Sequence, residues 1–267
     1  MNAVMDNKPG MILAIDIGNS TIIMGCVDDE KIIFEEHVAT VHVKTRIEHA
    51  MVIKSMLELN GINIGDIKGV IISSVVPPLT NVIKAAAKLV TKIDPLTVGP
   101  GLKTGLPIHM DDPRTVGSDL IVAAVAASNE YGKPIIIVDV GTATTVTVVD
   151  ESGAYVGGAI IPGVQISQEA LVGRTAQLPH VSLDPPKMVV GKNTVDSMRS
   201  GAIYGSASCI DGMIRRIKKE MGLPVTTKTV ATGGLAGTII PHCECDIIYD
   251  DMLLMKGLKI IYDRNIG

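Results

Sequence analysis

The sequence predicts an α/β protein made of two similar halves, each a mixed sheet flanked by helices, and three observations carry that prediction. The first is an internal echo. Residues 12–21 (ILAIDIGNST) lie without gaps on residues 135–144 (IIIVDVGTAT), 123 positions further along the chain. The second is the order after each copy: another β-rich run (22–27 and 146–149), an acidic turn (28–30 and 150–153) and a third β-rich run (31–36 and 154–161). The third is the alternation of helical and strand patterns after each trio, which winds helices onto a sheet.

Taken in order, the first half should continue with a helix over 44–59, a strong strand over 69–76 closed by Pro77 and Pro78, and a helix near 80–90. Ser118 and Asp119 open an apolar helix over 120–128, a pattern that as local chemistry alone reads as a helix cap sooner than as a catalytic site. In the second half the pattern gives a long helix or helix pair over 195–221 and a strand over 226–231. The break at Gly132-Lys133-Pro134 sets the boundary, so residues 1–10 form an N-terminal extension, 11–131 the first half and 132–267 the second.

Composition narrows the function. The 267 residues carry 24 basic against 28 acidic side chains, so there is no basic footprint for nucleic acid, and five Tyr with one Phe and no Trp provide no stacking platform. Apolar runs such as 120–127 fall well short of the ~18–20 residues of a membrane span, and the N-terminus has no signal-peptide core. The expectation is a cytoplasmic protein without nucleic-acid or membrane partners. Cys26, Cys209, Cys243 and Cys245 are too few and too unevenly spaced for a disulfide framework. His242, Cys243 and Cys245 are metal-ligand types in a four-residue stretch, but no second pair completes a zinc site, and they read as a surface turn.

The chemistry sits in the echo. An Asp-x-Gly turn between buried strands puts a carboxylate beside backbone N–H groups, a setting suited to phosphate oxygens and Mg2+. Two copies make a pair: Asp16 with Gly18, Asn19, Ser20 and Thr21, and Asp139 with Gly141, Thr142, Thr144 and Thr145, expected to face one another and hold a triphosphate. A third glycine-rich piece, with Gly233 and Gly234 after a β-rich run, would let a base or ribose approach the backbone. Neither a P-loop nor a dinucleotide-binding fingerprint is present, so ATP would be held another way.

These residues resemble the superfamily of acetate and sugar kinases, Hsp70 and actin, and more closely the type III pantothenate kinase family. The resemblance runs from about residue 11 to 265. It rests on Asp16-Ile-Gly18-Asn19-Ser20, Gly101 to Pro107, Pro113 through Gly117-Ser118-Asp119, Asp139-Val-Gly141-Thr142, Gly157 to Gly163, Gly191 to Val195 and Ala231 to Ala236. It implies duplicated ribonuclease H-like (actin-like ATPase) halves and ATP-dependent phosphorylation of the primary hydroxyl of pantothenate, the first step of coenzyme A biosynthesis. It also implies a homodimer that uses Mg2+ and a monovalent cation, K+ or ammonium.

Carried over by resemblance, Asp16, Ile17, Gly18, Asn19, Ser20, Thr21, Ile22 and Ile23 form the first ATP phosphate loop, with Asp16 toward Mg2+. Thr142, Gly233 and Gly234 also bind ATP, and Asp139 holds the monovalent cation. Asp119 is the catalytic base; Met110, Gly117, Ser118, Asp119, Leu120 and Thr194 line the acceptor pocket. The helix N-terminus is expected to favour the charged form of Asp119. Two positions depart from the family pattern: Leu120 stands where an Arg is usual and Met110 where a Tyr is usual. An Arg could grip the acceptor's carboxylate with paired hydrogen bonds that a leucine cannot make. Lys103, Arg114, Arg174 and Lys192 are the cations that could substitute. The departures leave open a kinase of altered acceptor or a non-catalytic accessory or regulatory protein; the retention of Asp16, Asp119 and Asp139 speaks for an enzyme.

Overall fold

The structure, a computed structural model, describes residues 10–266. Of these, 10–105, 114–126 and 254–266 form one compact unit and 106–113 with 127–253 the other. The units interleave along the chain, whereas the sequence reading divides it once, at 131/132. The C-terminal helix is the reason: it packs with the first sheet.

The first unit is built on β1 (Ile12–Ile17), β2 (Thr21–Val27), β3 (Ile32–Ala39), β4 (Gly69–Ser74) and β5 (Leu96–Thr97), in the order β3-β2-β1-β4-β5. β2 runs antiparallel to β1 and β3, while β4 is parallel to β1. One sheet face buries Leu13, Ile15, Ile17, Val70 and Ile72 against Ile53 and Leu57 of α1 (Arg46–Leu59) and Leu79 and Ile83 of α2 (Pro77–Thr91). α1 opens on a capping box in which Thr45 and Glu48 satisfy each other's backbone N–H groups. Pro77 and Pro78 do not close the strand as expected. They begin α2, because a missing N–H costs nothing in a helix's first turn, and the strand stops earlier, at Ser74.

The opposite face carries the first part of α3 (Ser118–Tyr131) and α8 (Leu253–Ile266). Glycines permit that approach. A Cβ on Gly69 would strike the Tyr262 ring, and one on Gly257 would lie 2.2 Å from the Val122 carbonyl oxygen. Lys259 of α8 ties the helix to the β2–β3 turn through Asp29 at 3.0 Å while bonding Asp263 within its own helix.

The second unit repeats the plan with β6 (Ile135–Val140), β7 (Ala143–Val149), β8 (Tyr155–Pro162), β9 (Lys228–Thr232) and β10 (Ile248–Tyr249), ordered β10-β9-β6-β7-β8. Ile136, Val138, Val140, Val146 and Val148 pack against Ile210 and Ile214 of α6 (Ser206–Glu220) and against Ile203. Around them lie α4 (Val164–Gly173), α5 (Thr194–Ser200) and α7 (Ala236–Ile239). The expected long helix over 195–221 is α5 and α6 joined through a π-helical turn, Gly201–Gly205, bracketed by its two glycines.

Both units therefore have the ribonuclease H-like order, and the echo is structural, with one correction. Ile17 pairs with Ile22, but Val140 pairs with Thr144, so the first hairpin is one residue longer. The gapless alignment fails after the glycine: Ile23, opposite Asp16, is equivalent to Thr145, opposite Asp139. The turns differ accordingly. Gly18 N–H bonds the Thr21 carbonyl, three residues on, while Gly141 N–H bonds that of Ala143, two residues on. Among the described residues no helix is long and apolar enough to cross a membrane.

Candidate active site

In the first unit the glycine turn projects from the carboxyl end of β1. Asn19 and Ser20 are exposed at its tip, and Thr40 pins its base, donating from Oγ1 to the Gly18 carbonyl at 2.7 Å and from its N–H to that of Ser20 at 3.0 Å. Asp16 is the buried member, 5% exposed, opposite Ile23 on one side and Ser73 on the other. Ile17 and Ile22 are wholly inside the core, so any contact of theirs to a nucleotide would run through backbone atoms.

Directly opposite residues on neighbouring strands project to the same face. Asp16 therefore shares its face with Ser73, whose Oγ lies 3.0 Å from Ser118 Oγ at the start of α3. Ser118 also bonds the N–H and the carbonyl of Ser74, each at 3.0 Å. Asp119 is next in the chain, its Oδ1 accepting the Leu120 N–H at 2.8 Å over the space that a side chain on Gly117 would fill. Sequence reasoning expects the helix end to favour the charged carboxylate. Burial outweighs it: desolvation pushes the Asp119 carboxyl above the ordinary carboxylate range, against the N–H groups of Leu120 and of Asp119 itself.

The second unit holds Asp139 differently. It stands opposite Thr145 on β7 and Thr232 on β9, so one carboxylate is flanked on the same face by two hydroxyls. Thr145 Oγ1 is buried with no hydrogen-bond partner among the described residues. Gly233, at φ 102°, succeeds Thr232 so closely that a Cβ would sit 2.3 Å from Asp139 Oδ1 and 2.7 Å from Val140 N. Gly163 fits as tightly under the turn, where a Cβ would meet the carbonyls of Gly141 and Thr142 at 2.5 and 2.3 Å. Thr142 and Gly234 are exposed. The donors in both turns are oxygens, the set that Mg2+ and K+ take, and the orphaned Thr145 hydroxyl is an available ligand beside Asp139.

The remaining expected site residues lie in the second unit. Thr194 begins α5, capped by Asn193, and lines a mainly apolar cavity of about 550 Å3 with Thr144, Val164, Gln168, Met198 and Cys209. Met110 lies over Gly157 of β8, with its segment held by main-chain bonds between Pro107, His109 and Tyr155. Gly117, Ser118, Asp119 and Leu120 belong to the first unit and Met110 to the second. Cys243 and Cys245 flank a turn whose N–H groups, on Glu244 and Cys245, bond the Asp211 carboxylate; burial pushes the Cys243 thiol up to about 12.

Ser73 and Ser74 escape the sequence reading, and Gly163 enters it only as the end of the Gly157 to Gly163 block, with no role assigned. A signal exists for the serines, since two hydroxyls close an otherwise apolar run at the end of β4. The role of Gly163 comes from close approach to the turn at Gly141 and Thr142, a little over twenty residues away in the chain.

Comparison with known proteins accords with this geometry. The family model described as type III pantothenate kinase matches residues 12–216. The type III pantothenate kinase of Brevibacillus brevis is 46% identical over 255 residues, covering 96% of this chain and 99% of that protein. That of Halalkalibacterium halodurans is 44% identical over 256 residues, covering 96% and 100%. In fold, the chain is similar to (R)-2-hydroxyglutaryl-CoA dehydratase component A of Acidaminococcus fermentans, with a TM-score of 0.54 at 15% identity over 94% of this chain and 96% of that one. With a family model covering most of its length and relatives 44 and 46% identical over 96% of it, the chain belongs to the type III pantothenate kinase family.

Proposed function

We propose that this chain transfers the γ-phosphoryl group of ATP to the primary hydroxyl of pantothenate, yielding ADP and 4'-phosphopantothenate. The observation that carries the reading is the Asp16, Ser73, Ser118, Asp119 constellation at the carboxyl ends of β1 and β4 and the start of α3, found in a chain of this family. In the reaction the pantothenate oxygen bonds to the γ-phosphorus, the bond to the β–γ bridging oxygen breaks, and the hydroxyl proton passes to Asp119. Phosphoryl transfer of this kind needs placement and charge stabilisation more than a strong base. A carboxylate whose pKa burial raises is the better proton acceptor for being raised.

Asp16 is the residue we assign to Mg2+, which when bound neutralises charge on the phosphates. Asp139, with the hydroxyls of Thr145 and Thr232, is assigned to K+ or ammonium. The turn from Asp16 to Ile23, with Thr142, Gly233 and Gly234, is assigned to ATP. Gly117 to Leu120, Met110 and Thr194 are assigned to the acceptor, Ser118 by shaping the pocket and not through its hydroxyl, which is bonded to Ser73 and Ser74. No observation favours the accessory-protein or altered-acceptor readings that Leu120 and Met110 leave open.

The test is ADP formation from MgATP with and without pantothenate, in K+ and in ammonium buffer, for the parent chain and Asp119→Asn. We expect pantothenate-dependent turnover that falls by ~10²–10⁴-fold in the variant, the usual contribution of a general base. Its acid limb should lie above the ordinary carboxylate range, since Asp119 must lose its proton to act and burial raises its pKa. Turnover without pantothenate dependence, or an undiminished variant, overturns the reading. A homodimer belongs to it as well. Ile160, Ile166, Leu171 and residues 188–190 are exposed apolar side chains of the second unit that a partner copy would cover. A solution mass of two chains at micromolar concentration is expected; a single-chain mass would exclude it.

A further inference from the structure

The geometry points to Ser73 and Ser118 as positioning residues that fix the Asp119 carboxylate by anchoring the start of α3 to the end of β4. This rests on the reading of Asp119 as the base.

A serine hydroxyl has one proton and two lone pairs. Ser118 Oγ lies 3.0 Å from each of three partners: it donates to the Ser74 carbonyl and accepts from the Ser74 N–H. With its proton so placed, the contact to Ser73 Oγ is satisfied only if Ser73 donates. Ser118 is then saturated. It cannot also hold an acceptor molecule unless one of these bonds is given up, which separates it from the substrate contacts that its place in the motif suggests. Ser73 is wholly buried and has Asp16 as its register neighbour, so one hydroxyl links the strand pair carrying the first carboxylate to the helix carrying the second.

Nothing about this anchor is loose. Ser74 Oγ accepts the Val76 N–H at 3.1 Å and the Thr80 hydroxyl at 2.7 Å, which fixes the turn from β4 into α2. Val75 N–H bonds the Ile17 carbonyl at 3.0 Å, which ties the same turn to β1. On the helix side, Asp119 Oδ1 occupies the space over Gly117, 2.4 Å from where a Cβ would stand. Rotating or lifting the first turn of α3 would move the carboxylate directly, and a displacement of about 1 Å in a reacting group can cost ~10²-fold in rate.

The experiment compares Ser118→Ala, Ser73→Ala and the hydroxyl-retaining Ser118→Thr with the parent and with Asp119→Asn, each alone and with Ser118→Ala added to Asp119→Asn. Expected is a loss of kcat of about tenfold or more in both alanine variants. KM for ATP and pantothenate should stay within about twofold, most of kcat should return in Ser118→Thr, and Ser118→Ala should cost nothing further once Asp119 is already Asn. A rise in KM for pantothenate with kcat unchanged would mean that Ser118 binds the acceptor directly and would overturn the inference. So would unchanged kinetics, or a loss that persists in the Asp119→Asn background. If Asp119→Asn itself turns over like the parent, the assignment of the base fails; if it collapses while the serine variants are silent, only this inference fails.

Discussion

The two glycine turns began as copies, and their surroundings now differ in one consistent respect. Asp16 is flanked in register by Ile23 and Ser73, and the single hydroxyl is bonded to the start of α3. Asp139 is flanked at the equivalent positions by Thr145 and Thr232, and the Thr145 hydroxyl is left without a protein partner among the described residues. The same backbone thus carries one carboxylate in a nearly dry setting beside the first turn of α3 and another in an oxygen-rich setting with a ligand to spare. The difference teaches that duplication kept the strand pairing, and that the residues opposite the aspartate decide what each copy can hold. In the proposed reading that is phosphate and Mg2+ for the first and a weakly held monovalent cation for the second.

The sharpest way to break this division is to remove each charge in turn. Asp16→Asn should lower kcat by ~10²–10³-fold at any monovalent cation concentration, as the loss of a preorganised electrostatic group does. Asp139→Asn should lose its response to K+ and ammonium while keeping the residual rate seen in sodium buffer. Titrations of rate against K+ and against Mg2+ for both variants read this out. If the two variants share one phenotype, the turns are not specialised.

A smaller effect sharpens the comparison. Thr145→Val removes one oxygen and almost no volume, and should raise the K+ concentration needed for half-maximal rate by ~10-fold, the range for weakening a metal's surroundings. Because that hydroxyl is buried and unbonded, the same variant should melt no lower than the parent in the absence of K+, and should be about 1 kcal/mol more stable if the full desolvation cost is relieved. In the first unit the hydroxyl beside the aspartate is that of Ser73, and Ser73→Ala breaks an existing bond and should lower Tm. Differential scanning of both variants, with and without K+, tests the contrast.

This division of labour is only partly legible in the sequence. The echo, the three-strand starts and the α/β winding can be read because strand periodicity and glycine turns are local signals. Asp16 and Asp139 stand out for the same reason. The rest depends on register: that Ser73 stands opposite Asp16 and Thr232 opposite Asp139 is fixed by parallel pairing across gaps of 57 and 93 residues. The one-residue difference between the hairpins hides that Thr145, not Val146, is the counterpart of Ile23. Pro77 and Pro78 mislead because a proline pair both ends strands and begins helices, and only the packing of Leu79 and Ile83 decides. The state of Asp119 is misread from sequence because the helix end is a local signal and burial is not.

The smallest effect separates the units by their response to acid. His49, on α1 of the first unit, is 1% exposed, and neither ring nitrogen has a hydrogen-bond partner among the described residues. Burial, aided by Lys44 and opposed by Glu48, holds its pKa below the 6.5 of an ordinary histidine. The folded ring therefore resists a proton that the unfolded chain accepts, so its contribution to stability is complete above 6.5 and declines as pH falls below that value toward the folded pKa. Hydrogen exchange between pH 7.5 and 5.5, corrected for intrinsic rates, should show a few-fold loss of protection in α1 and the strands it covers, with β6 and β9 of the second unit unchanged. His49→Leu, similar in volume and unable to titrate, should flatten the difference. Equal acid sensitivity in both units, or a variant that keeps the first unit's response, would place the acid-sensitive group elsewhere and leave the two units alike in this respect.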